Sequence, residues 1–244
     1  MYLIHKQSGY FNSIAKVVEE VLDDEYMYSN DPNQDGVWVL FFTSFLSGFH
    51  TKIKSPYILI QTELKDRTFK RYPEYKQMYD KALKILDFAE NFQVGYSNSY
   101  REYCENAKDI DVLFYGVLSE RRKKLLESLD VDNKVILSKS PPIWGNDLWK
   151  YINRSKIVLN ISAYENRFEP DWIRLAPLLS NKTFVITEKV GDPEFLKLKH
   201  DIIMVDYSDM KQTVHVYLKD PIKRAIAADR GFDFIRKRQN TIVK

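Results

Sequence analysis

DVLFYGVLSERRKKLLESL, residues 111–129, reads as a strand that runs through a glycine into a helix. The first five residues are rich in Val, Leu, Phe and Tyr, as in a strand buried on both faces. Gly116 opens the turn and Ser119 is placed to cap the helix. From Glu120 to Leu129 the apolar residues recur at three- and four-residue spacing. The same unit repeats downstream. Lys134–Leu137, Ile157–Ile161, Thr183–Thr187 and Ile202–Val205 read as strands, with helices over Asp147–Arg154 and Asp171–Ser180. Asn146 is a further candidate cap, Pro170 suits a first helical turn, and Asp192-Pro193 and Asp220-Pro221 mark two more starts. Strand–helix alternation of this kind predicts a mostly parallel sheet covered by helices.

Working outward, the N-terminal half carries the same alternation less regularly. Candidate strands are Tyr2–His5, Val37–Phe42, Tyr57–Gln61 and Phe92–Tyr96, with helical patterns over Ser13–Leu22 and Tyr75–Glu90. A polar turn covers Asn30–Gly36 and a long loop Ser44–Pro56. The polar segment Glu102–Asp109 is the expected hinge. The expected organisation is therefore α/β with two Rossmann-like lobes, mostly parallel sheets and a cleft between them. The lobes are assigned to residues 1–107 and 108–220. A terminal segment, 221–244, holds a helix over Pro221–Lys237 expected to pack back on the first lobe. A chain of 244 residues accommodates two compact lobes.

Composition narrows the function. A net charge of +3 lacks the basic stripe of a nucleic-acid binder, and Arg236-Lys237-Arg238 reads as a solvated helix end. No apolar run approaches the ~20 residues of a membrane span. The one cysteine, Cys104, forms no internal disulfide and has no Cys/His cluster around it for zinc. No metal site is expected. MYLIHKQSGY has Lys and His where a secretion signal is apolar, so the expected location is the cytoplasm.

In open α/β sheets ligands bind beyond the carboxyl ends of the strands, so the loops there hold the candidate site. A glycine at Gly116 lets backbone approach a ligand, the helix start behind it favours an anion, and Arg121 or Arg122 can add a charge-assisted bond to a diphosphate. Ile143 and Trp144, in a loop stiffened by two prolines, suit a nucleotide base. Tyr164, Glu165 and Glu169 follow the strand ending LNIS, and Arg174 lies on the next helix. The acids suit ribose hydroxyls and Arg167 or Arg174 a phosphate. A further strand ends at Thr187-Glu188. In the first lobe Gly9 allows close approach to a sugar or phosphate. Glu63 and His50 are the candidate general bases for taking a proton from an acceptor hydroxyl.

DVLFYG with its following Arg-Arg pair, WGNDLWKYINRSKIVLNIS and FEPDWIRLAPLLSNKTFVITE together resemble the nucleotide-binding lobe of GT-B glycosyltransferases. The likeness is to short spore-maturation-like and large-DNA-virus (chlorovirus-like) members. YILIQTE and VGYSNSY resemble their acceptor lobe. The resemblance implies a nucleotide diphosphate sugar (UDP, GDP or TDP) as donor in the second lobe and a glycan or other hydroxyl acceptor in the first. It implies metal-independent transfer with no obligatory cofactor, read here as inverting, and for a viral member the host cytoplasm. No DxD motif of the metal-dependent kind occurs. One departure is that Arg174 is followed by Leu175, Ala176 and Pro177, where many relatives carry a Glu, so either the ribose contact falls to Glu169 or the donor sits differently.

Three other readings compete. One is a non-catalytic nucleotide- or sugar-binding module of the same fold. Another is a nucleic-acid-interacting protein using the basic C-terminal helix, against which the expectation is no nucleic-acid partner. The third is another doubly wound sugar enzyme, such as an epimerase or phosphosugar isomerase.

Overall fold

The computed structural model describes residues 1–6, 10–22, 24–62, 65–88, 90–100, 107–138, 143, 145–165 and 169–242. The chain divides into two compact units. Unit 1 comprises Met1–Val94 with Gln239–Lys244, and unit 2 is Gly95–Arg238.

Unit 1 opens with β1 (Tyr2–His5), α1 (Tyr10–Leu22), β2 (Tyr26–Ser29) and β3 (Val37–Phe41). There follow α2 (Phe42–Leu46), a 3-10 turn at Phe49–Thr51, and β4 (Tyr57–Gln61). The unit continues with α3 (Lys65–Arg71), α4 (Tyr75–Asp80), β5 (Lys84–Asp87) and β6 (Phe92–Gln93). Among the described residues five strands form one sheet in the order β2-β1-β3-β4-β5, every pairing parallel. Its central strands β3 and β4 are buried almost along their whole length, as in parallel sheets covered on both faces. Leu3, Trp38, Leu40, Leu59, Tyr75 and Met78 pack into one core on one side of it.

Unit 2 contains β7 (Ile110–Tyr115), α5 (Glu120–Ser128), β8 (Lys134–Leu137), α6 (Gly145–Arg154) and β9 (Ser155–Asn160). It continues with α7 (Trp172–Ser180), β10 (Val185–Glu188), α8 (Pro193–Leu196) and β11 (Ile203–Val205). Two helices close it, α9 (Met210–Leu218) and α10 (Pro221–Lys237). The sheet order is β11-β10-β9-β7-β8, again wholly parallel. Both units are thus doubly wound α/β folds, as the alternation predicts.

Several helix starts have the expected chemistry. Ser119 accepts from the Arg122 N–H, Asp192 from that of Glu194 and Asp220 from that of Lys223, with Pro193 and Pro221 opening their helices. Asn146 differs: α6 already begins at Gly145, whose φ of 57° supplies the turn, so Asn146 lies inside the first turn.

Several stretches differ from the expected elements. Tyr75–Glu90 is not one helix: α4 ends at Asp80 and β5 follows. β2 was not foreseen, and Phe92–Tyr96 contributes only the two residues of β6, paired antiparallel with β12 (Thr241–Ile242). Helix α10 lies within unit 2, packed against α7. Gly231 makes their crossing close: a methyl there would stand 2.8 Å from Leu179 Cδ2. The hinge expected at Glu102–Asp109 falls largely outside the described residues.

Candidate functional site

The carboxyl edge of the unit 2 sheet gathers most of the site candidates that the structure describes. β7 ends at Tyr115, and Gly116 follows with φ at 122°, in the left-handed region that glycine tolerates. Its Cα faces the guanidinium of Arg174, which projects from the first turn of α7. A Cβ on residue 116 would lie 2.9 Å from Arg174 Nη2. The guanidinium carbon stands 4.8 Å from the centre of the Tyr115 ring, a cation–π distance. Arg174 Nη1 lies 3.5 Å from Oδ1 of Asn160, the last residue of β9. Asn160 in turn donates from Nδ2 to Thr187 Oγ1 of β10 at 2.9 Å. Burial pushes the Tyr115 phenol up to about 12, with Arg174 pulling the other way. It therefore stays protonated at neutral pH.

Next to this group lies a second network. Glu188, the last residue of β10, accepts from both terminal nitrogens of Arg121, with the Nη1 contact at 2.8 Å. The carboxylate also accepts the Ser162 backbone N–H at 2.9 Å, and Arg121 Nη1 donates to the Ser162 carbonyl at 3.0 Å. Arg121 stacks on the Tyr207 ring at 3.9 Å, and the Tyr207 hydroxyl donates to the Arg121 carbonyl at 2.7 Å. Both members of the Arg121–Glu188 pair are mostly buried. Such a bidentate pair fixes geometry as well as neutralising charge. Here it ties the start of α5 to the ends of β9 and β10.

Arg122 has a different place. It is only 6% exposed and donates to the Ile161 carbonyl from Nε and Nη2, and to the Val117 carbonyl from Nη1. Its guanidinium braces two loops from within. Of the expected phosphate partners, Arg174 therefore stands with Gly116 at the strand ends, whereas Arg121 and Arg122 are committed to Glu188 and to backbone carbonyls. Tyr164 and Glu165 sit in the exposed loop after β9, Ile143 is exposed ahead of α6, and Glu169 is half-buried just before α7. Trp144 and Arg167 lie outside the described residues.

Of the candidates in the first lobe, Gly9 and Glu63 lie outside the described residues. His50 sits in the 3-10 turn, with Nδ1 3.4 Å from the Ser44 carbonyl and its ring 5.2 Å from Phe45. His5, whose Nδ1 is 2.7 Å from Ser44 Oγ, is not among the site residues expected from the sequence. Nor are Asn160 and Tyr207, and Glu188 enters there only as a strand end. His5, Asn160 and Glu188 were findable as the last residues of apolar strands, where open sheets place their ligands. Tyr207 had no comparable signal, since its partner Arg121 lies 86 residues away. Among the described residues no group of three or more His, Cys, Asp or Glu is placed to hold a metal ion. None of the described helices is long and apolar enough to cross a membrane.

Two doubly wound units, one with a charged carboxyl edge gathered around a glycine turn, define the architecture of a GT-B-type transferase. Residues 101–243, more than half the chain, match the glycosyl transferase-like family. The chain belongs to that family. Among solved structures it is similar to T4 phage β-glucosyltransferase, a DNA-modifying enzyme determined with and without uridine diphosphoglucose. In that comparison the TM-score is 0.56 and the identity 11%, over 97% of this chain and 94% of the other. The same T4 phage enzyme in complex with its UDP-glucose substrate gives 0.54 and 12% over the same shares. At this identity the likeness is one of fold. An uncharacterized protein of Acanthamoeba polyphaga mimivirus is 24% identical over 210 residues, which span 79% of this chain and 67% of the relative. This relative fits the viral side of the resemblance.

Proposed function

We propose that the protein transfers a sugar from a nucleotide diphosphate sugar to a hydroxyl acceptor, the donor held by unit 2 and the acceptor by unit 1. The observation that carries this reading is Arg174 set against Gly116, Tyr115 and Asn160 at the strand ends. A guanidinium beside a glycine turn is where a diphosphate meets both fixed positive charge and close backbone. Glu169, half-buried before α7, is assigned to the ribose. As the leaving diphosphate gains charge, Arg174 and the backbone N–H groups of the turn stabilise it. Arg121 and Glu188 act one step back by holding the loops around this edge.

UDP-glucose is the first donor to try, since the solved T4 phage neighbours are described with it. Transfer is read as inverting and independent of metal. A glycan or other small hydroxyl compound is the expected acceptor, because a net charge of +3 offers little drive toward a polyanion. DNA belongs in the acceptor panel because the T4 phage enzyme modifies it. The cytoplasm, that of the host for a viral chain, is the setting assigned with this reading.

The test is calorimetric titration with UDP-, GDP- and TDP-sugars, followed by transfer assays with and without EDTA. One nucleotide is expected to bind selectively. Arg174→Ala should weaken it by about 10- to 100-fold, the worth of one charge-assisted bond. Wild-type affinity in that variant would remove Arg174 from the donor site. A protein that is folded yet binds none of the nucleotides would remove the function itself.

A further inference from the structure

The sheet of unit 1 has the order β2-β1-β3-β4-β5, so the direction of winding reverses between β1 and β3. In open parallel sheets a ligand crevice lies outside the carboxyl ends at such a switch point. His5 is the last residue of β1, and Ser44 stands three residues beyond the end of β3. The switch point is therefore where their side chains meet, Nδ1 to Oγ at 2.7 Å.

This imidazole is oriented from two directions. Ser44 is fully buried, and its Oγ also accepts the Phe41 N–H at 3.1 Å. One lone pair of that oxygen is thus used and the other can accept Nδ1–H. The ring face is stacked on Phe49, with centroids 3.9 Å apart and planes within 10°. Phe49 is itself held edge-on by Trp38 at 5.0 Å. His5 remains only half-buried, at the strand end where open sheets place their ligands. When Nδ1 donates its proton to an orienting partner, Nε2 becomes the basic nitrogen.

We propose that His5 Nε2 is the catalytic base that takes the proton from the acceptor hydroxyl, with Ser44 as its positioning residue. The inference rests on the glycosyl-transfer reading above. As the hydroxyl oxygen bonds to the anomeric carbon, its proton passes to Nε2. The bond from that carbon to the diphosphate oxygen breaks, and the electron pair leaves with the nucleoside diphosphate. The resulting imidazolium later returns its proton to water. Burial lowers the proton affinity of His5, which keeps the ring neutral and able to accept near pH 7. His50 is less well fixed for this role. Its Nδ1 lies 3.4 Å from the Ser44 carbonyl, and its ring is tilted against Phe45 with centroids 5.2 Å apart.

The test uses the full chain with its best nucleotide sugar and acceptor. His5→Asn should lower kcat by about 10²- to 10⁴-fold while donor affinity, measured by titration, stays within twofold. His200→Gln, on an exposed turn, should leave both unchanged. If His5→Asn does not fold, Ser44→Ala carries the test. It keeps the imidazole but frees Nδ1, and should lower kcat about tenfold or more and move the acid limb of the kcat/KM profile. In the wild type that limb should lie below the ordinary histidine value, since activity requires the neutral ring. Full kcat in His5→Asn overturns the proposal, as does loss confined to His50→Gln or Glu63→Gln, or a wild-type profile without an acid limb. In each of these cases a wild type that still binds and transfers leaves the donor reading standing. A wild type that binds no nucleotide sugar overturns both.

Discussion

At the scale of single residues, three arginines of unit 2 illustrate how neighbours decide what a charge can do. Arg174 meets a glycine, an aromatic face and an amide at the sheet edge. Arg121 is matched by a carboxylate and an aromatic ring. Arg122, though adjacent in sequence, is turned inward onto the carbonyls of Ile161 and Val117. Burying a guanidinium is tolerable only when its N–H groups are satisfied, and those carbonyls depend on it in return. Arg122→Ala is therefore expected to strand buried acceptors and to destabilise the protein by about 2–4 kcal/mol. Arg122→Lys should restore little of this, because an ammonium cannot reproduce the planar fork. Differential scanning calorimetry checks both variants. A lysine variant as stable as wild type would mean that charge, not geometry, is what the loops require.

At the scale of elements, the central strands were legible because burial on both faces writes itself as short apolar runs. β1 and β4 occupy the residues expected of them. β2 and β5, the two edges of the unit 1 sheet, escaped, whereas the edge strands of unit 2 did not. β2 shows YMYS with Tyr26 and Met27 exposed, and β5 begins with an exposed lysine and buries only its last two residues. In Asp80–Glu90 the apolar residues fall by chance at helical spacing, which is why a helix was expected there. α9 was missed because Thr213, Val214 and Val216 are β-branched and weak helix formers. The candidate site was legible to the same extent: strand ends could be located, but pairs such as Arg121–Glu188, 67 residues apart, leave no local trace. Close packing of helices was also hidden. A methyl on Gly231 would fall 2.8 Å from Leu179 Cδ2 across the α7–α10 crossing. Alanine gains about 1 kcal/mol over glycine in a helix interior, so the outcome turns on whether Leu179 can give way. Gly231→Ala should cost at least 1 kcal/mol more in the wild type than in a Leu179→Ala background, a coupling expected of residues in contact. Four denaturation curves complete the cycle, and additive effects would mean the crossing absorbs the methyl elsewhere.

At the scale of the whole molecule, the two units differ in how the chain builds them. Unit 2 is one continuous segment, Gly95–Arg238, whereas unit 1 is completed by residues beyond it. The closing contacts are small but specific. Thr241 and Ile242 pair with Gln93 and Phe92. Gln93 Nε2 donates to the Gln239 carbonyl at 3.0 Å, and Asn240 Nδ2 donates to Glu20 at 2.9 Å. Cutting the chain after Arg238 removes all of these from unit 1. It leaves the Tyr96 N–H to Arg238 carbonyl bond of unit 2 in place. A nucleotide that binds only unit 2 adds stability there by mass action, about 2.7 kcal/mol at 100 times its dissociation constant. Two consequences follow for scanning calorimetry. Deleting residues 239–244 should lower the transition of unit 1, and the nucleotide should raise that of unit 2 in the full chain and the deletion variant alike. If the deletion instead abolishes the nucleotide shift, donor binding requires an intact unit 1. The assignment of the donor to unit 2 alone would then fail, even with Arg174 in its proposed role.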